Sequence, residues 1–486
     1  MLNKYFTLLF LVLIGLSSCK KDTDKIPSPE KPPVSNNRTT DEKVRDSIYF
    51  YYKYLSYWES SIPVYNLISD ISDKYSSGES LLNHLMGLTP VKNDYVFHGP
   101  RQNIVENYTG PLDRFSWIED ISSTSSRSAR ADTYDGFGLF VVFEGGDANS
   151  AAYVGLSEGN SPADKAGIKR GDKIIKINGV EALGKNFRLI EAELNKTQLV
   201  LDLERAGVPF TKTLTYGSYD IFPVVKDSVY TVNADKVGYF ALSSFEEMTN
   251  DAGQYTAMYN AMNAAFNKFN QQAINKVIID LRYNTGGYVS TAIYLANKIV
   301  NSNGAGKLMF SYDINKNLKE EKAKGSREFD DVMFNNSATN ITDVYFLVSD
   351  YTASASEIVI SALKPYANVR LIGEHGSTYG KPVGFFRQDI LNKAGLWAAS
   401  FKIVNSAGYT DYWDGIPADK PGVFDNVRFD FGDLREDMLA TAIQHIRSGS
   451  YTLSGSSAKA SSRTGTTRTS SAVPVNKLRE RNMIKD

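Results

Sequence analysis

The chain has 486 residues, 42% of them hydrophobic and 22% charged, which is too long for one ordinary core and suits about three folded domains. Its 54 basic and 55 acidic residues leave a formal net charge of -1, so no global field selects nucleic acid or an acidic surface as a partner. Four histidines and a single cysteine poorly supply a Cys/His metal site and exclude a disulfide within the chain, so neither a metal nor another cofactor is expected.

Lys4 precedes an apolar run from Phe6 to Leu16, a length that suits a signal peptide and is too short to span a bilayer. Leu16-Ser17-Ser18-Cys19 ends it, and small residues leading to a cysteine resemble a bacterial lipoprotein signal. That resemblance implies removal of residues 1–18, lipidation of Cys19, and a membrane anchor in the bacterial cell envelope, on the periplasmic or surface side. An ordinary secretory signal with an incidental cysteine is the other reading.

Residues 19–40 carry Pro27, Pro29, Pro32 and Pro33 among polar and charged neighbours and read as a tether. Thr39 and Glu42 have the spacing of a capping box. Val44, Ile48, Tyr51, Leu55, Trp58 and Ile62 then recur at steps of four and three, one face of a helix. With a second helical stretch at Ser80 to Leu88 and an irregular aromatic segment after it, residues 41–121 are expected to form a small helical N-terminal domain.

A linker rich in serine and arginine, Ser122 to Arg130, leads to Gly136-Phe137-Gly138-Leu139 and an apolar strand. Ser161-Pro162-Ala163, Ala166-Gly167-Ile168, Gly171-Asp172 and the strand and turn of Ile174 to Val180 follow. Together these resemble a PDZ domain of the bacterial type over residues 132–216. The resemblance implies that the backbone N–H groups of Gly136 to Leu139 receive a peptide's C-terminal carboxylate while the peptide adds a strand to the sheet edge.

Residues 220–446 alternate strands and helices, the pattern of an α/β layered domain. Val237 to Leu242 and Lys276 to Asp280 read as strands, separated by a helix whose face is Tyr255, Met258, Tyr259, Met262, Phe266 and Phe269. Gly286 and Gly287 follow the second strand, where they make either a bare turn or main-chain donors facing a substrate. Asn301 to Thr342 is polar and poorly periodic and reads as a long excursion from the core. Val344 to Val348 is a buried strand and Ile358 to Leu363 resumes with helical spacing, so Ser354 falls at a strand-to-helix turn, near free N–H groups suited to an oxyanion. The plainer reading makes it a helix N-cap. Lys381 sits among Tyr379, Gly380, Pro382 and Phe385, where loss of water would favour its neutral amine. A helix from Leu434 to Ile446 closes the domain, and residues 447–486 are expected to be disordered, being almost without large apolar residues until Val473.

Ala353-Ser354-Ala355-Ser356-Glu357, Tyr379-Gly380-Lys381 and the stretch Asp280 to Gly287, all downstream of a PDZ-like module, resemble the C-terminal processing peptidases, a tail-specific serine protease family, over residues 41–446. The resemblance implies Ser354 as nucleophile, Lys381 as general base, and an oxyanion hole from the N–H of Ala355 and one from Gly286 or Gly287. Its substrates would be polypeptides with accessible C-termini. Many members carry a glutamine four residues after the lysine, where this chain has Phe385, so the sequence leaves open what orients the base. Two other readings remain: a lipid-anchored PDZ peptide-binding protein on an inactive peptidase scaffold, and an enzyme with His375 as base, for which the sequence specifies no carboxylate partner.

Overall fold

A five-stranded sheet forms the spine of the molecule. Its strands lie in the order Val224–Val232, Asp235–Leu242, Lys276–Asp280, Asp343–Val348 and Asn368–Gly373; the first pair is an antiparallel hairpin and the rest are parallel. This is a computed structural model that describes residues 37–98, 104–120, 133–250, 252–452 and 473–476. Cys19, the signal segment, most of the tether and the 122–130 linker lie outside the described residues.

The parallel strands are buried on both faces because helices and a second sheet cover them. Val277, Ile279, Val344, Phe346 and Val348 join one core, with helices Ala257–Gln271, Val289–Ile299 and Ala355–Leu363. The alternate residues Ile278, Tyr345 and Leu347 face a second core under the closing helix Asp437–Ser448. The α/β layering expected from the sequence is thus present, with mixed α and β elements in several units.

Two expectations change. Residues 41–121 are not a separate helical domain: helix Thr40–Leu55, capped by Thr39 and Glu42 as the sequence implied, buries Ile48, Tyr52 and Leu55 in the same core as Phe266 and Phe346. The aromatic segment after the helices is β-structured, with a hairpin of Val91–His98 and Ile104–Pro111, and Trp117–Asp120 pairs with the long strand Ala394–Asn405. An apolar stripe on a helix says that it is buried, not against what. The stretch 301–342 is likewise no loop: Leu308–Ile314 pairs with Ala394–Asn405 in the second sheet, and Met309, Phe310, Leu318 and Phe329 are core residues.

The PDZ-like unit is inserted between Trp117–Asp120 and Val224–Val232, and the short antiparallel ribbon of Thr133–Gly136 with Gly217–Asp220 forms its stem. It is riveted to the α/β body by buried charge. Arg170 donates to Gly155 O and Tyr283 Oη, both at 2.9 Å, and pairs with Asp425; Arg282 reaches Asp425 at 2.7 Å and Asp280 and Glu436 at 2.8 Å. Burial works to raise the Asp425 carboxyl, but Arg170 and Arg282 overcome it and hold the group well below the usual carboxylate range.

Removing one member of such a buried network strands the remaining charges, which costs about 3–5 kcal/mol. Asp425→Asn is therefore expected to lower the midpoint of urea unfolding markedly. Because the folded pKa is depressed, the contribution is present above the unfolded value of about 3.9 and fades as pH falls below it. Wild-type stability measured on acidification should decline more steeply than that of Asp425→Asn.

Candidate active site

The strand Asp343–Val348 delivers the chain to a tight turn, and helix Ala355–Leu363 departs from it, with Ser354 between them. Ser354 has φ 63° and ψ -117°, a conformation that a residue with a Cβ rarely adopts and that costs roughly 1–3 kcal/mol. Its Oγ is buried and has no hydrogen-bond partner among the described residues, so the plain N-cap role is not realised. The cap runs the other way: the Ser354 N–H donates to Glu357 Oε2 at 2.8 Å.

Glu357 is fully buried and its carboxylate gathers four donors. Besides Ser354 N–H, it accepts from Lys381 N–H at 2.9 Å on the same oxygen, and from Gly380 N–H at 2.8 Å and Thr378 Oγ1 at 2.5 Å on the other. Sharing one oxygen brings the backbones of Ser354 and Lys381 side by side. Burial raises the Glu357 pKa, and the four hydrogen bonds oppose that rise.

The turn Asn284 to Gly287 closes the other side. Asn284 O accepts from Ala353 N–H at 3.2 Å and Ser356 Oγ at 3.0 Å, and its Nδ2 donates to Leu242 O at 3.1 Å. A Cβ on Gly286, at φ +115°, would lie 2.7 Å from Ser354 Cβ and 3.2 Å from Ala355 N, so only glycine permits this approach. The Gly286 N–H is spent on Asn284 Oδ1 at 3.0 Å, which leaves Gly287 as the glycine whose N–H suits an oxyanion. Ala355 N–H, at the first position of its helix, has no intrahelical acceptor.

Lys381 is 6% exposed, and aromatic rings line its ammonium: Nζ lies 4.7 Å from the Phe385 ring centre and 5.6 Å from that of Phe115. Phe385 packs with Trp58, Phe115, Val383 and Trp413, and meets Trp117 edge-on at 5.2 Å. Gly380 is obligatory beside it, since a Cβ there would fall 2.4 Å from Trp413 O. His375, the other base considered, lies 3.9 Å from Asp350 Oδ2, a carboxylate partner that its sequence neighbourhood did not specify. Glu357 links Lys381, not His375, to Ser354. Ser356 is committed to Asn284 O.

In the PDZ-like unit, Phe137 and Leu139 are buried, and Gly138 at φ +63° lies so near Ser161 that a Cβ would come within 2.1 Å of its Cβ. Phe137 O accepts from Ala163 N–H at 3.0 Å and Gly138 O from Glu158 N–H at 2.8 Å. In a trans peptide the N–H points opposite the C=O, so the Gly138 and Leu139 N–H groups face away from these partners.

Sequence reasoning quoted Glu357 without giving it a role, although Ser-x-x-Glu at a helix start is the signature that would have found it. Asn284 likewise stood within the Asp280 to Gly287 stretch without a role, and Phe115 carried no such signal.

A buried serine on a strained strand-to-helix turn, a buried lysine whose backbone shares a carboxylate oxygen with it and an inserted PDZ-like unit define a class. Residues 236–419 match the profile described as Peptidase family S41 and residues 156–200 that of a PDZ domain, so the chain joins an S41 peptidase domain to a PDZ domain. The chain is 28% identical over 319 residues to the carboxy-terminal processing protease CtpA of Bacillus subtilis, covering 63% of this chain and 61% of that protein. It is 26% identical over 344 residues to the chloroplastic C-terminal processing peptidase of Tetradesmus obliquus, covering 68% and 67%. The chain thus spans less than two thirds of the Bacillus relative's length. A crystal structure from Bacteroides fragilis, described as an S41 protease, shares the fold with a TM-score of 0.60 at 21% identity, over 83% of this chain and 97% of that one.

Glu357→Gln replaces one acceptor oxygen by an amide nitrogen that faces two N–H donors. Displacing a catalytic group by an ångström costs on the order of 100-fold, so kcat is expected to fall by roughly that factor, with thermal stability changed far less. Since burial raises the Glu357 pKa, acid protonates it before an ordinary glutamate of pKa about 4.3. An activity profile should therefore begin to fall above that pH on acidification.

Proposed function

We propose that the protein is a serine endopeptidase that cleaves polypeptides near their C-terminal ends through an acyl-enzyme, with Ser354 as nucleophile and Lys381 as base. The observation that carries this reading is the single Glu357 oxygen shared by the Ser354 and Lys381 backbones in a domain matching family S41. The neutral Lys381 amine takes the Ser354 proton as Oγ attacks the scissile carbonyl. The negative charge on oxygen meets the N–H groups of Ala355 and Gly287. Collapse breaks the C–N bond as the lysine returns the proton to the leaving amine, and water repeats the sequence to release the new C-terminus. The PDZ domain captures the substrate's terminal carboxylate at Gly136 to Leu139 and adds its last residues to the strand Leu139–Phe143. The names of the Bacillus and algal relatives, a processing protease and a processing peptidase, favour this substrate class. The intact Ser354, Lys381 and glycine pair favour an enzyme over an inactive binding scaffold.

Lipidation of Cys19 would hold the protein at a membrane of the cell envelope. Among the described residues no helix is long and apolar enough to cross one.

Ser354→Ala should lower turnover of an unstructured protein substrate by several powers of ten, with folding intact by circular dichroism. Lys381→Arg should be nearly as inactive as Lys381→Ala, because a guanidinium keeps its proton; near-normal turnover of Lys381→Arg would transfer the role of base to His375. Cys19→Ser should move the protein from the membrane to the wash fraction.

A further inference from the structure

The segment Val473 to Asn476 lies within the tail expected to be disordered, yet it forms a strand on the PDZ domain. The sheet there runs Val208–Thr215, Gln198–Arg205, Lys173–Ile177, Ala152–Ser157, Leu139–Phe143, and then Val473–Pro474. Without the tail, Leu139–Phe143 would be the sheet's edge, and it is the strand that leaves the Gly136 to Leu139 loop.

The tail answers that edge group by group. Val473 sits opposite Phe143 and Pro474 opposite Val142 in antiparallel register. Val475 N–H donates to Val141 O at 2.9 Å. The Asn476 side chain then takes over from the backbone: its Oδ1 accepts from Val141 N–H at 2.9 Å and its Nδ2 donates to Leu139 O at 2.7 Å. Val475 is 3% exposed and joins the PDZ core with Leu139, Val141 and Ile190, so the strand has a side chain in the groove as well as bonds along the edge. Pro474 falls where its missing N–H faces outward, which leaves a blunt edge that cannot recruit another strand.

We propose that residues 473–476 are a built-in ligand of the PDZ groove, an internal segment of the form apolar-Pro-apolar-Asn that incoming substrate C-termini must displace. This rests on the reading of the PDZ domain as the captor of substrate C-termini. A peptide adding to Leu139–Phe143 needs the Val141 N–H and C=O that the tail already uses, so the two are mutually exclusive. The N–H groups of Gly138 and Leu139 are not used by residues 473–476, and a terminal carboxylate, unlike that internal segment, would accept from them. A ligand on the same chain acts at an effective concentration in the millimolar range, so even a weak segment competes well with dilute substrate.

The test uses the full chain carrying Ser354→Ala, so that bound peptide survives, with and without the pair Val475→Asp and Asn476→Ala. The probe is a fluorescein-labelled unstructured peptide ending in a free valine carboxylate. It should bind the tail variant roughly tenfold or more tightly than the parent, and an excess of the unlabelled peptide Ser-Ser-Ala-Val-Pro-Val-Asn should displace it. In the active enzyme, the tail substitutions should lower KM for long substrates while leaving a peptide too short to reach the PDZ groove unaffected. Equal binding by parent and tail variant would overturn the proposal while leaving C-terminal capture standing. No binding to either would remove both. A difference that grows with protein concentration would place another copy's tail in the groove and overturn the intramolecular assignment. Asn476→Ala alone, which deletes only the two side-chain bonds, should give an intermediate gain.

Discussion

One buried carboxylate fixes the chemistry of this molecule. Burial raises the folded pKa of Glu357, so its ionised form weighs against folding relative to its protonated form. Its effect is positional. The strained Ser354 backbone needs about 1–3 kcal/mol of support, and hydrogen bonds to a charged acceptor contribute roughly 1.5–3 kcal/mol each. Four donors therefore suffice to hold the turn, and since three of them come from Thr378, Gly380 and Lys381, the same carboxylate that pins Ser354 pins the loop bearing Lys381. The two halves of the site cannot be displaced separately.

A second buried network does for the domains what Glu357 does for the site. Arg282 leaves the strand Lys276–Asp280 only two residues after its end, and the turn that follows carries Asn284, Gly286 and Gly287. Arg282 and the PDZ domain's Arg170 converge on Asp425, and Tyr283 Oη bonds to the same carboxylate. The PDZ domain is thus fastened to the segment that forms one wall of the active site. The strand Leu139–Phe143 runs close by, since Phe140 on it meets Tyr283 edge-on at 5.3 Å.

What the sequence disclosed and what it hid follow from the range of the interactions involved. The strand Lys276–Asp280, the capping box at Thr39 and the strand-to-helix turn at Ser354 are written in local periodicity and short motifs, so they were legible. The positive φ of Ser354 was not, because a serine with that conformation looks like any N-cap until its Oγ is seen without a partner. Assignments resting on long-range partners failed. Nothing near Leu308 announces that it will pair with a strand ending at Asn405, and nothing in helix Thr40–Leu55 names the peptidase core as its partner. The tail shows the same limit at small scale: Val-Pro-Val-Asn in a polar stretch cannot bury itself alone and acquires structure only from the edge it meets.

Phe385 stands where the family that the sequence resembles often carries a glutamine. An amide would orient Nζ by accepting one of its protons. The Phe385 and Phe115 rings enclose the ammonium by shape and by cation–π attraction, worth about 0.5–2 kcal/mol. The enclosure is shared between two parts of the chain. Half of it comes from outside the 236–419 match: Phe115 belongs to the N-terminal segment, whose Arg114 also donates to Gly380 O at 3.3 Å and Trp413 O at 3.4 Å. The segment that looked like an independent helical domain is therefore a wall of the pocket around Lys381.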